Sequence, residues 1–118
     1  MRHRKEFQPQ MHAVEAPTNR LSEHITGCAL AHELRESGLA VTQQQGIAVH
    51  YDGVVVGEYV VDLLVERTVI VELKAIKTLD SGHAAQCINY LKASSPRLCL
   101  LLNFGKPRLE IQRFATGI

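Results

Sequence analysis

Residues 59–65 and 68–74 are two apolar runs joined by only Glu66-Arg67, and they carry Asp62, Glu72 and Lys74 inside them. A link that short between two β-branched, apolar segments predicts an antiparallel hairpin. Side chains alternate faces along a strand, so Glu72 and Lys74 project from the same side. With residues 66–68 as a three-residue connection turning about Arg67, Val65 opposes Val69 and Asp62 opposes Glu72. Opposed Cβ atoms lie ~4.5–5.5 Å apart. Two carboxylates at that spacing repel, and Val60, Leu64 and Ile70 are expected to make their surroundings apolar. Either one acid keeps its proton or a divalent cation sits between them. A one-residue slip would send Asp62 to the other face and dissolve the pair. The plainer alternative is a same-face ion pair of Glu72 and Lys74 at a sheet edge, with Asp62 in solvent near a strand end; spacing alone leaves both open.

The rest of the chain builds around this hairpin. Residues 1–20 are polar, without a sustained period, and read as a poorly ordered tail ahead of a single domain over 21–118. A first helix ends near Ser37-Gly38, with Leu30 and Leu34 stacked at i,i+4 and Gly38 as its stop; Gly27 weakens its first half. From Leu39 the pattern turns β: Ile47, Val49 and Tyr51 alternate, and Asp52-Gly53 signals a tight turn. The return strand passes Gly57, a bulge or bend, and runs into residues 59–65. Asp80 or Ser81 caps a second helix to about Lys92, with Ala84, Cys87, Ile88 and Leu91 as its buried stripe. Residues 97–103 read as a strand covered on both faces, and residues 108–114 as a last strand. The fold class is therefore α/β, a mixed β-sheet with an antiparallel three-strand meander, flanking helices and the order αβββαββ.

Composition removes several classes of function. With 118 residues, 46% of them apolar, the chain fits one globular domain. No run approaches the ~20 apolar residues of a membrane span, and no apolar segment follows the basic residues 1–5, so a cytoplasmic protein with no membrane role is expected. Cys28, Cys87 and Cys99 have neither the number nor the spacing of a disulfide framework or a zinc knuckle and read as buried thiols. No glycine-rich phosphate loop, haem motif or nucleophile elbow is present. Net charge is only +1, so any nucleic acid would be met through a local basic patch. On the second helix His83, Gln86 and Tyr90 share one face. His83 is expected to be exposed, Tyr90 to rim the core, and Gln86 either to be solvated or to aim at the acid pair.

Asp62, Val71-Glu72-Leu73-Lys74, Gln86-x3-Tyr90-Leu91-Lys92 and Leu102-Asn103-Phe104-Gly105, in that order, resemble the small bacterial GxxExxY family. That family is similar in fold to the PD-(D/E)XK nuclease superfamily, whose core is restriction-endonuclease-like. The likeness covers roughly residues 30–114, including Glu33-Leu34-Arg35 and Gly57-Glu58-Tyr59. It implies that Asp62 and Glu72 bind a metal, that Lys74 is the catalytic lysine, and that Gln86 is the accompanying helix glutamine. The implied reaction is Mg2+-dependent hydrolysis of phosphodiester bonds in nucleic acid. The name motif departs: Gly27 is followed by Cys28, Ala29 and Leu30 where glutamate is expected, and Glu33 stands where tyrosine is expected. The first helix therefore reads as shortened, with Glu33 and Glu36 as surface charges.

Two other readings follow from that departure. A catalytically degenerate module could keep the nuclease fold for binding or protein–protein interaction. A shortened first helix would also bare an apolar sheet face, through which the chain could form a homo-oligomer.

Overall fold

The computed structural model describes residues 17–116. Helix α1 (Pro17–Glu36) is followed by strands β1 (Val41–Tyr51), β2 (Val54–Val65) and β3 (Val69–Lys74), helix α2 (Ser81–Ala93), and strands β4 (Leu98–Asn103) and β5 (Glu110–Ala115). The strands form one five-stranded sheet in the order β1-β2-β3-β4-β5. β1, β2 and β3 are mutually antiparallel, β3 and β4 are parallel, and β5 returns antiparallel to β4. Only the parallel pair needs a crossover, and α2 supplies it. This is the expected αβββαββ sheet.

The punctuation follows local chemistry. α1 ends in a Schellman arrangement: Gly38 takes φ +93°, its amide donates to the Arg35 carbonyl at 2.9 Å, and the Leu39 amide donates to the Leu34 carbonyl at 3.0 Å. Asp52 and Gly53 both adopt positive φ, the backbone that a two-residue hairpin turn demands. Beside Gly57 the register slips by one residue between Val49 and His50, so the expected bulge is there. The boundary expected near residue 20 falls inside α1, and residues 1–16 lie outside the described residues.

Two clusters form the core, one under each helix. Leu30, Ala31 and Leu34 of α1 pack on Leu63, Val65, Val71 and Leu73. Cys87, Tyr90 and Leu91 of α2 pack on Ile47, Tyr59, Val61, Ile70, Cys99 and Leu101. α1 is 20 residues long, so the first helix is not shortened, and the face expected to lie bare for self-association is covered. Gly27 is the reason it sits so close: a Cβ there would lie 3.2 Å from Leu73 Cδ1.

The α2 stripe is rotated from its expected phase. His83, Cys87, Tyr90 and Leu91 are buried, while Ile88 is 39% exposed. The expectation of an exposed His83 is wrong for a local reason. Its Nδ1 accepts the Asp80 amide at 3.0 Å, while Asp80 Oδ1 accepts the Gly82 and His83 amides, closing a capping box that draws the ring inward. Asp80→Ala should lower stability by about 1 kcal/mol, read from the urea midpoint at unchanged m-value. The cysteines divide as well: Cys87 and Cys99 are buried as expected, but Cys28 is exposed.

Candidate active site

Asp62 and Glu72 meet where the β2–β3 ladder opens. Leu63, Leu64 and Val65 pair with Val71, Ile70 and Val69, the register that a turn about Arg67 predicts. One step further, side chains replace the ladder. Asp62 Oδ2 accepts the Leu73 amide at 2.8 Å, and Glu72 Oε2 accepts the Asp62 amide at 2.9 Å. The two carboxylates thus cross, each holding the backbone of the opposite strand. Asp62 is half-buried; Glu72 and Lys74 are buried. Of the three neighbours expected to be apolar cover, Ile70 is fully buried and Leu64 packs against its cluster, but Val60 is 52% exposed.

Burial pushes the Glu72 carboxyl well above the usual carboxylate range, and the Asp62 charge pushes it further. The Asp62 amide and the Lys74 charge pull the other way and do not win. The sign for stability follows. A carboxyl whose folded pKa lies above its unfolded value stabilises the fold while it is protonated, below the unfolded pKa. That contribution is lost as pH rises through the folded value. Without metal, the contribution of Glu72 to stability should therefore decline as pH rises above its ordinary carboxyl value of 4.5. Glu72→Gln should flatten that slope and melt higher than the wild type at neutral pH in EDTA, which a pH series of thermal melts would read.

A third acid arrives from α1. Glu23 is buried, and its Oε2 accepts the Ala75 amide at 2.8 Å, one residue beyond Lys74. Glu33 and Glu36 stay exposed on the same helix, as expected, so the α1 acid that reaches the end of β3 is Glu23. No motif marks it: in Arg20-Leu21-Ser22-Glu23-His24-Ile25-Thr26 only the glutamate of Gly-x-x-Glu-x-x-Tyr is present, with Arg20 and Thr26 in the places of glycine and tyrosine.

The segment after Lys74 is pinned from β4. Asn103 is fully buried; its Oδ1 accepts the Ile76 amide at 3.0 Å and the Gly105 amide at 3.1 Å, and its Nδ2 donates to Glu110 Oε1 at 3.1 Å. The Phe104 amide donates to the Lys74 carbonyl at 2.9 Å. Gly105 then lies directly on the backbone of Ala75 and Ile76, leaving no room for a Cβ.

The α2 side closes the site. Tyr90 is buried, its ring edge-on to Tyr59 with centroids 4.7 Å apart. Burial holds its phenol protonated, and the charges of Glu72 and Asp62 add to that effect. Cys99 is likewise held as a thiol, first by its hydrogen bond with Cys87 and then by burial. Gln86 is half-buried one turn before Tyr90, next to Cys87 on the helix that faces the pair.

The PD-(D/E)XK nuclease superfamily matches residues 10–114 of this chain. The chain belongs to that superfamily. A comparison with curated proteins returns no match. Among solved structures, the crystal structure of an alkaline exonuclease from Laribacter hongkongensis is similar in fold, with a TM-score of 0.59 at 16% identity. The match covers 87% of this chain and 61% of the exonuclease, so this PD-(D/E)XK chain spans about three fifths of that enzyme's length.

PD-(D/E)XK nucleases generally use divalent metal ions. Among the described residues, no three His, Cys, Asp or Glu side chains form a ready-made cage. A hard cation does not require one: Mg2+ takes one or two carboxylates and keeps water and phosphate oxygens for its remaining positions. Two crossed carboxylates, one of them driven toward its protonated form by burial and by its neighbour, are a donor set that fits such a cation. No described helix is long and apolar enough to cross a membrane.

Proposed function

We propose that this PD-(D/E)XK domain is a divalent-metal-dependent nuclease that hydrolyses phosphodiester bonds in nucleic acid, with Mg2+ as its ion. The observation that carries the reading is the crossing of Asp62 and Glu72 with Lys74 buried beside them. Asp62 and Glu72 are the metal-holding acids. A bound divalent ion neutralises phosphate charge and lowers the pKa of its water. Lys74 projects from the Glu72 side of β3 and holds the attacking water or a phosphate oxygen with a cation that burial keeps from bulk solvent. Tyr90, kept neutral, adds no negative charge beside the acids. Gln86 orients the substrate or water from α2. Glu23 steadies the Ala75 amide and so the end of β3. Membership of the GxxExxY subfamily rests on the ordered likeness of Asp62, Glu72-x-Lys74 and Gln86-x3-Tyr90, because the frame from Arg20 to Thr26 keeps only the glutamate of the name motif.

The experiment is a cleavage assay on mixed single- and double-stranded DNA and RNA with Mg2+, Mn2+, Ca2+ or EDTA. Cleavage that needs Mg2+ or Mn2+ and stops in EDTA is the expected result. No cleavage together with no thermal stabilisation at millimolar Mg2+ would leave the fold as a binding module.

A further inference from the structure

We propose that the left-handed backbone of Gln44 is a positioning device that turns Asp62 toward Glu72; the inference rests on the reading of Asp62 as a metal-holding acid. Gln44 lies inside β1, yet its φ is +51°, a region that non-glycine residues seldom enter and that is foreign to a strand. Across the hairpin its register position faces Asp62. Gln43 pairs with Leu63 and Gln45 with Val61, and the 44/62 step between them is skipped without any change of register.

Side-chain alternation breaks at that same step in both strands. On a regular strand, residues two apart share a face. Val61 and Leu63 do not: Val61 joins the cluster under α2, and Leu63 joins the cluster under α1. Leu64 and Val61, three apart, pack against one cluster where a regular strand would part them. In β1, Val41 packs with the α1 cluster, whereas Ile47 belongs to the α2 cluster although it lies an even number of residues away. The hairpin changes sides between residues 43 and 45 on one strand and between 61 and 63 on the other.

The consequence for Asp62 is direct. It sits at the break, where the β2–β3 ladder also gives way and its carboxylate reaches the Leu73 amide. Beyond the break Val60 is turned out to solvent, which explains its exposure. A regular β backbone at Gln44 would continue the alternation and rotate β2 at residue 62 away from β3. The left-handed residue in β1 therefore sets the direction of an acid on the neighbouring strand.

Replacing Gln44 with residues of graded tolerance for left-handed backbone tests this. Gln44→Gly and Gln44→Asn should keep the kink, and Gln44→Gly should raise the melting temperature by removing strain. Gln44→Val and Gln44→Ile resist the conformation and favour a straight strand. Amide exchange in metal-free protein is the first readout. Protection of the Leu73 amide should fall about tenfold in the β-branched variants, the factor that the cost of left-handed backbone corresponds to. The β4–β5 amides should be unchanged. Mn2+ affinity by calorimetry, well below the melting temperature, should fall in the same order, whereas a merely structural role would lower melting temperature alone.

Equal Leu73 protection in the valine and glycine variants would overturn the proposal, as would a glycine variant that melts no higher than wild type. If the valine variant does not fold, Gln44→Ala should fall between glycine and wild type in melting temperature with Leu73 protected, and the reverse order sinks the idea. Wild-type protein that binds no Mn2+ but obeys the exchange order would fail the metal reading and leave the geometry standing.

Discussion

Alanine at Glu72 or at Lys74 should each cut metal-dependent phosphodiester cleavage by at least ~10²-fold, the scale of losing a buried electrostatic or proton-handling group at a reaction centre. The two variants should fail differently. Glu72→Ala removes a carboxylate that also holds the Asp62 amide, so it should weaken Mn2+ binding and loosen the strand crossing together. Lys74→Ala removes a cation that lowers the pKa of Glu72 and leaves both carboxylates in place. At a pH high enough to ionise Glu72 it should bind Mn2+ nearly as well as wild type while losing kcat. Single-turnover cleavage at saturating metal, paired with calorimetry, separates the two. Activity that survives both substitutions would exclude the mechanism.

Gly105→Ala should be the most damaging small substitution in the fold, costing about 3 kcal/mol or more. Its new Cβ would meet backbone atoms of Ala75 and Ile76, which cannot swing aside as a side-chain tip can. The loops after β3 and β4 would have to part, breaking the bonds from Asn103 to the Ile76 and Gly105 amides and disturbing the Ala75–Glu23 contact. For a domain of this size, that loss corresponds to a melting temperature at least ~10 °C lower. Gly57→Ala is the control, because no neighbouring atom lies within 4 Å of a Cβ there, and it should melt close to wild type.

The hairpin that carries the acids was legible in the chain because charge inside apolar runs is rare and a three-residue connection allows few registers. Turn glycines and the αβββαββ order were legible for the same local reasons. Glu23 was not: its partner is the amide of Ala75, a long-range contact that no periodicity encodes, and its helix turn lies beside residues that read as tail. His83 was misplaced because its position near the helix start suggested solvent, whereas its ring is committed to the Asp80 amide. Ile88 was misplaced with it, since turning His83 and Tyr90 inward rolls the neighbouring isoleucine out. Gln44 gives no sign in the sequence at all: it is the middle one of three successive glutamines, and only its dihedral shows the break.

The three thiols occupy two different environments, and that makes the protein its own unfolding gauge. Cys28 is exposed on α1, its Sγ 3.5 Å from Gln43 Nε2 of β1, while Cys87 and Cys99 have no exposed surface. A maleimide dye should react at once with Cys28 and reach the other two only when α2 lifts from the sheet. The slow labelling phase then times the opening of the helix that backs the acid pair, and a bound metal ion should lengthen it.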